Sequence, residues 1–238
     1  MATQTTAKPQ PTTGEIVKLL PRFIFAFVFL GALLFVPART LNWPMAWALV
    51  GLHVVFFAMM MVLLFRLNPG LIAERSRMMT RDTKGWDKLI TFLMTPVYLG
   101  TWVLAALDFR NGWSPPFPLG FQLAALGLVG LGYATIGWAM LANPYFSRVV
   151  RIQDDRGHRV ATGGPYHLVR HPGYAGMIVA WPATVIALGS LWALILAAAT
   201  ALSLVVRTAL EDRTLRAELE GYEEFTRQTR YRLLPGIW

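Results

Sequence analysis

Two stretches of this chain gather the side chains able to do chemistry. The first is GPYHLVRHPGYAG, Gly164 to Gly176. Gly163-Gly164-Pro165 and His171-Pro172-Gly173 are turn formers. Between and after them stand Arg170 and His171 as hydrogen-bond donors, and Tyr166 and Tyr174 as aromatic faces. Pro172 suits the first position of a helix, and the unsatisfied N–H groups of such a start favour an anionic ligand group. The second stretch runs from Arg207 to Tyr222. Arg207, Glu211 and Leu215 recur at i, i+4 and i+8 and share one helix face, with Asp212 beside them. An arginine at the end of an apolar run either pairs with Glu211 and snorkels, or binds an anion at the membrane boundary. Taken singly, none of these residues is specific: a histidine at such a boundary is more often a hydrogen-bonded structural residue. His53, inside another apolar run, reads as a packing residue, and His167 stands apart from the pattern. The chain has no Cys, which excludes a thiolate nucleophile and a Cys-based metal site.

The elements that must position these residues are membrane helices. Of the 238 residues 55% are hydrophobic and 15% charged, whereas a soluble domain carries about 25% charge. Six spans can be drawn: 19–36, 43–65, 89–107, 120–142, 174–188 and 191–210. The last two flank a Gly189–Ser190 joint. As one helix the 37 residues from Tyr174 to Leu210 would reach roughly 55 Å, too long for a hydrocarbon core of about 30 Å. A helical hairpin is therefore expected, with a kink at Trp181–Pro182. In the fourth span GLVGLG and Gly137 would let helices approach closely. Twenty of the 22 Lys and Arg fall on one side of this topology, which by the positive-inside rule puts both termini and both long loops in the cytoplasm. That placement also accounts for the formal charge of +9 without a nucleic-acid partner.

The domain reading follows: a disordered polar tail over 1–18, four helices over 19–142, and a catalytic region over 143–238 holding the motifs and the hairpin. The basic loop from Arg66 to Lys88, with Met78, Met79 and Trp86, is expected at the membrane surface against anionic lipid, a substrate-facing lid being the other reading. Val149–Gln153 alternates weakly before the turn signal DDRG, so a short β-hairpin is expected there.

Arg170-His171-Pro172-Gly173-Tyr174-Ala175-Gly176, followed after an apolar hairpin by Arg207, Glu211-Asp212, Leu215 and Tyr222, resembles the isoprenylcysteine carboxyl methyltransferase and phospholipid methyltransferase superfamily of membrane enzymes. The resemblance covers Asn143 to Trp238. It departs from the family pattern at Asp212, where a Glu is usual, and at Phe225, where a Tyr is frequent. It implies an all-α polytopic bundle with a cytoplasmic site for S-adenosylmethionine. By that resemblance Tyr166, Arg170, His171, Pro172, Tyr174, Gly176, Glu211, Asp212 and Tyr222 hold the donor, and Arg207 and Glu211 act on the acceptor. The implied reaction is carboxyl O-methylation of a lipid or lipidated acceptor. Alternatives are N-methylation of a phospholipid amine, with Glu211 as base, and a membrane reductase using NADPH. The reductase would draw on Arg213, Arg216, Arg227, Arg230 and Arg232 for a 2′-phosphate. A prokaryotic inner-membrane protein is expected.

Overall fold

The computed structural model describes residues 20–76 and 80–238. The expected tail over 1–18 and the loop residues Met78 and Met79 lie outside the described residues. The chain forms α1 (Leu20–Ala38), α2 (Pro44–Leu67), α3 (Pro69–Ser76), α4 (Gly85–Asn111), α5 (Leu119–Ala142), α6 (Pro172–Ala187), α7 (Trp192–Glu218) and α8 (Tyr222–Gln228). Two 3-10 turns, Asp154–Arg156 and Gly164–His167, punctuate the α5–α6 connection. Five helices, α1, α2, α4, α5 and α7, are long and apolar enough to cross a membrane, and α6 is a shorter apolar helix. Their outer faces expose large apolar side chains such as Phe25, Phe92, Leu131 and Leu202. Such a surface needs lipid rather than water around it. The protein is an integral membrane helical bundle.

Length decides where the chemistry sits. At 27 residues each, α4 and α7 reach about 40 Å, beyond a hydrocarbon core of about 30 Å. The first turn of α4 and the last turns of α7 therefore stand clear of the hydrocarbon at one end. The 143–171 connection and α8 cap the same end, which also carries the basic loops.

Packing is closest between α5 and α6. A Cβ on Gly132 would lie 2.6 Å from the Gly176 carbonyl oxygen, and one on Gly176 would lie 2.6 Å from that of Gly132. The expected close approach in the GLVGLG segment is thus made by its last glycine, and Gly137 makes another against Met60. At the opposite end of the bundle Gly189, at φ 79°, turns α6 into α7. There Asp108 of α4 accepts Ser190 Oγ at 2.5 Å and Ser114 N and Oγ at 2.7 and 2.6 Å. Buried His53 is the packing residue expected, its Nδ1 2.8 Å from the Leu49 carbonyl and its Nε2 2.5 Å from Tyr133 Oη.

One sequence expectation is corrected and another is given structure. Among the described residues there is no strand, so the β-hairpin at Val149–Gln153 does not form. Instead the Val150 N–H donates to Asp87 Oδ2 (2.8 Å) and its carbonyl accepts the Lys84 N–H (3.0 Å). The start of α4 satisfies the backbone groups that a second strand would have used. The DDRG turn is the 3-10 turn 154–156, ended by Gly157 at φ 63°. The loop after α2 is also more than a membrane-surface segment. It forms α3 and buries Glu74, which accepts Arg151 Nε and Nη2 at 3.0 and 2.9 Å. Arg151 Nη1 reaches Asp82 and Asp155 at 2.7 and 2.9 Å. Those carboxylates, Glu74 foremost, raise the Arg151 pKa and fix it as a cation that ties this loop to the 143–160 segment.

Candidate active site

Asp212 is the point on which the two sequence motifs close. It is 1% exposed, and an uncompensated carboxylate there would be very costly. Arg170 donates from Nε to Oδ1 (2.7 Å) and from Nη2 to Oδ2 (3.2 Å), a fork-on-carboxylate pair. Arg232 Nε adds a bond to Oδ2 at 2.9 Å, and Tyr222 Oη one to Oδ1 at 3.0 Å. His171 Nε2 lies 3.4 Å from Oδ1, and Arg216 Nε lies 3.3 Å from Oδ2. The remaining Arg170 nitrogen, Nη1, donates to the Thr229 and Arg230 carbonyls. The Arg170 and His171 N–H groups donate to Tyr231 and Arg232 at 2.9 Å each. The Arg-His segment is thereby stitched to the tail as well as to α7. Tyr222 keeps its phenol proton, since burial and then Asp212 push its pKa well up.

Glu211, the neighbour of Asp212, faces elsewhere. Its Oε2 accepts Tyr174 Oη at 2.5 Å. It lines a cavity of about 220 Å³ at the loop-bearing end. Tyr166, Arg170, His171, Tyr174, Arg207 and Tyr222 line the same cavity. Tyr166 is oriented by Asn143 Nδ2 at 3.1 Å, and burial raises its pKa, so it too stays protonated. The other sequence-predicted residues lie off the wall. Pro172 opens α6, Gly176 packs on Gly132, and Asp212 sits behind the wall as the hub just described.

Arg207 does not form the i, i+4 pair with Glu211 that its spacing allowed. Its Nε lies 2.8 Å from Asp87 Oδ1, an ion-pair distance at which the N–H is not aimed for a hydrogen bond. Its Nη2 donates to Asp87 Oδ2 at 3.2 Å and to the Arg148 carbonyl at 2.8 Å. The guanidinium stands 5.5 Å from the Tyr174 ring centroid. One edge of Arg207 is thus taken, and Nη1 has no bond among the described residues.

Several residues on or behind the wall were missed from sequence. Asp87 of α4 holds Arg207 yet came from the helices that matched no motif. Arg75 of α3 donates to the Phe146 carbonyl at 3.2 Å and stands 5.5 Å from that ring. Burial, and then Arg148, bring the Arg75 pKa down to about 10, still a cation at neutral pH. Phe146 in turn packs where a Cβ on Gly173 would be, 2.5 Å from two ring carbons. The wall therefore carries arginines, aromatic rings and, among the described residues, Glu211 as its one carboxylate.

A family model matches over residues 125–217, that of the isoprenylcysteine carboxyl methyltransferase (ICMT) family. Over this segment the chain is similar to that family of membrane methyltransferases. The match starts within α5 and ends one residue short of the end of α7, so it contains the Arg170–Gly176 motif, Arg207, Glu211 and Asp212. Asp87, Arg75 and Tyr222 lie outside it. No individual curated protein matches the chain.

Proposed function

We propose that the cavity binds S-adenosylmethionine and that the protein methylates a lipid-like acceptor carrying a carboxylate. The observation that carries this reading is the composition of one wall: Glu211, arginines and a ring of aromatics, built largely from the family segment. The residues fit the donor. His171 stands on the wall for a carboxylate, Glu211 accepts from hydroxyls or an ammonium, and Tyr166, Tyr174 and Phe225 offer faces for an adenine or a sulfonium. When bound, the donor supplies an electrophilic methyl on a sulfonium. Asp212, Arg170 and Tyr222 act as the frame that keeps those groups in place, and Pro172 and Gly176 set the start and packing of α6.

Transfer to a carboxylate needs no general base, only alignment and exclusion of water. Arg207 Nη1 and the cation Arg75 favour an anionic head, while the acceptor's apolar part lies among the helices. Because Asp87 occupies the other edge of Arg207, one bond rather than a two-bond clamp is offered to the acceptor. An amine acceptor would require Glu211 as base, the group assigned above to the donor's hydroxyls or ammonium. The reductase reading weakens on the same geometry. Arg213, Arg216, Arg227, Arg230 and Arg232 all lie off the cavity wall, and Arg216 and Arg232 are bound to Asp212. The loop-bearing end is assigned to the cytoplasm, where the soluble donor is present.

Calorimetry with the purified protein in detergent tests this. S-adenosylhomocysteine is expected to bind and NADPH not to; the reverse result overturns the proposal. Labelled donor added to membranes, followed by mass spectrometry of the labelled lipid, then identifies the acceptor.

A further inference from the structure

Asp87 has no role in the motif, yet it is fully buried at the first turn of α4. A buried carboxylate is kept only where partners compensate it. Its partners are the Val150 N–H and the Arg207 guanidinium. Arg207 faces two acids: Asp87 across from it, and Glu211 one turn further along its own helix. Arg before Glu at i, i+4 is the weaker order for such a pair, because it opposes the helix dipole. The structure gives Arg207 to Asp87, and Glu211 is left on the cavity wall with the Tyr174 hydroxyl as its one hydrogen-bond partner among the described residues.

We propose that Asp87 is a positioning residue that holds Arg207 off Glu211. The wall then presents a free arginine edge and a separate carboxylate instead of a self-neutralised pair. Remove the Asp87 charge and Arg207 loses its anchor, turns to the nearest carboxylate and masks Glu211. The inference rests on the reading that Glu211 helps bind the methyl donor. It gives the unmatched N-terminal half of the chain a part in the site, acting through Arg207.

The test is a set of S-adenosylhomocysteine affinities by calorimetry, with thermal midpoints of the ligand-free protein alongside. Asp87→Asn is expected to weaken binding by about tenfold, the scale of one charge-assisted hydrogen bond. Asp87→Glu is expected to recover most of that. In a Glu211→Gln background, Asp87→Asn is expected to add less than about twofold, because both changes act through one group. Should Asp87→Asn not fold, the double variant Asp87→Asn/Arg207→Gln buries no unpaired charge. It is expected to bind within about threefold of wild type, since nothing remains to mask Glu211. Unchanged affinity in Asp87→Asn, a full additional loss in the Glu211→Gln background, or weak binding by the double variant each overturns the inference. Failure of the wild-type protein to bind the ligand would instead overturn the proposed function itself.

Discussion

Glu211 and Asp212 are adjacent carboxylates, and they belong to two different regions. Asp212 looks into a closed cluster, where Arg170, Arg232, Arg216, Tyr222 and His171 surround its two oxygens. Glu211 looks into the cavity with a single tyrosine hydroxyl on it. Successive helix residues differ by about 100° in direction, so one step along α7 passes from architecture to a surface open to a ligand. The contrast separates two uses of charge. A carboxylate with all its lone pairs satisfied holds the two motifs and the tail together; one with lone pairs to spare can bind something else.

The sharpest way to break this contrast is Asp212→Ala. It leaves the Arg170 guanidinium buried without its carboxylate, and removal of one partner from such a pair costs about 3–5 kcal/mol. The expected outcome is a large drop in thermal midpoint in detergent, or failure to purify as a monodisperse species. A variant that stays as stable as wild type would mean that the cluster does not hold the fold.

Glu211→Gln should behave in the opposite way. The midpoint should stay close to that of wild type, because Glu211 is tied by one hydroxyl only. S-adenosylhomocysteine affinity should fall about tenfold or more, the scale of a bond to a charged group. Equal losses of stability at Glu211 and Asp212 would erase the distinction. Tyr174→Phe is the milder probe of the same side. It deletes the hydroxyl on Glu211 and keeps the ring beside Arg207, so an affinity change of about fivefold is expected, from a bond worth about 1 kcal/mol. A larger effect would show that Tyr174 contacts the ligand itself.

How much of this was legible before the structure follows the range of the interactions. The helices were written in hydropathy, and α2, α5, α6 and α7 begin within two residues of the expected spans. The approach of Arg170 to Asp212 was implied by the hairpin, which returns the chain to the end it left. What stayed hidden was the division of labour between Glu211 and Asp212, since identical chemistry at neighbouring positions gives no clue to which side is closed. Asp87 and Glu74 were hidden for another reason. Each is a single acid in or beside a basic loop, and its partner lies far along the chain, Arg207 for one and Arg151 for the other. The burial of Val149–Gln153 does not follow its weak alternation, for the adjacent Val150 and Arg151 are both buried, as is Gln153. That burial is against α3 and α4, and alternation alone does not say whether a strand or a single extended segment lies beneath it.

The smallest expected effect concerns His158, which lines the Glu211 side and takes no part in the Asp212 cluster. Its Nδ1 accepts the Gln153 N–H at 3.3 Å, and its ring centroid stands 4.7 Å from that of Tyr145. Burial lowers its pKa from the usual value to about 4, against a smaller opposing pull from Asp154. The unfolded chain therefore takes up a proton at higher pH than the folded one does. The native state is favoured fully above the usual histidine pKa of about 6.5, and that advantage drains away as the pH falls towards about 4. Protonation would also turn Nδ1 into a donor facing the Gln153 N–H, loosening the turn that carries Arg159 and Val160 along the cavity edge. Thermal midpoints measured across that window should fall further in the wild type than in His158→Gln, whose side chain does not titrate. Parallel curves would show that this edge of the cavity takes up no proton differently on folding, and would confine pH sensitivity to the carboxylates.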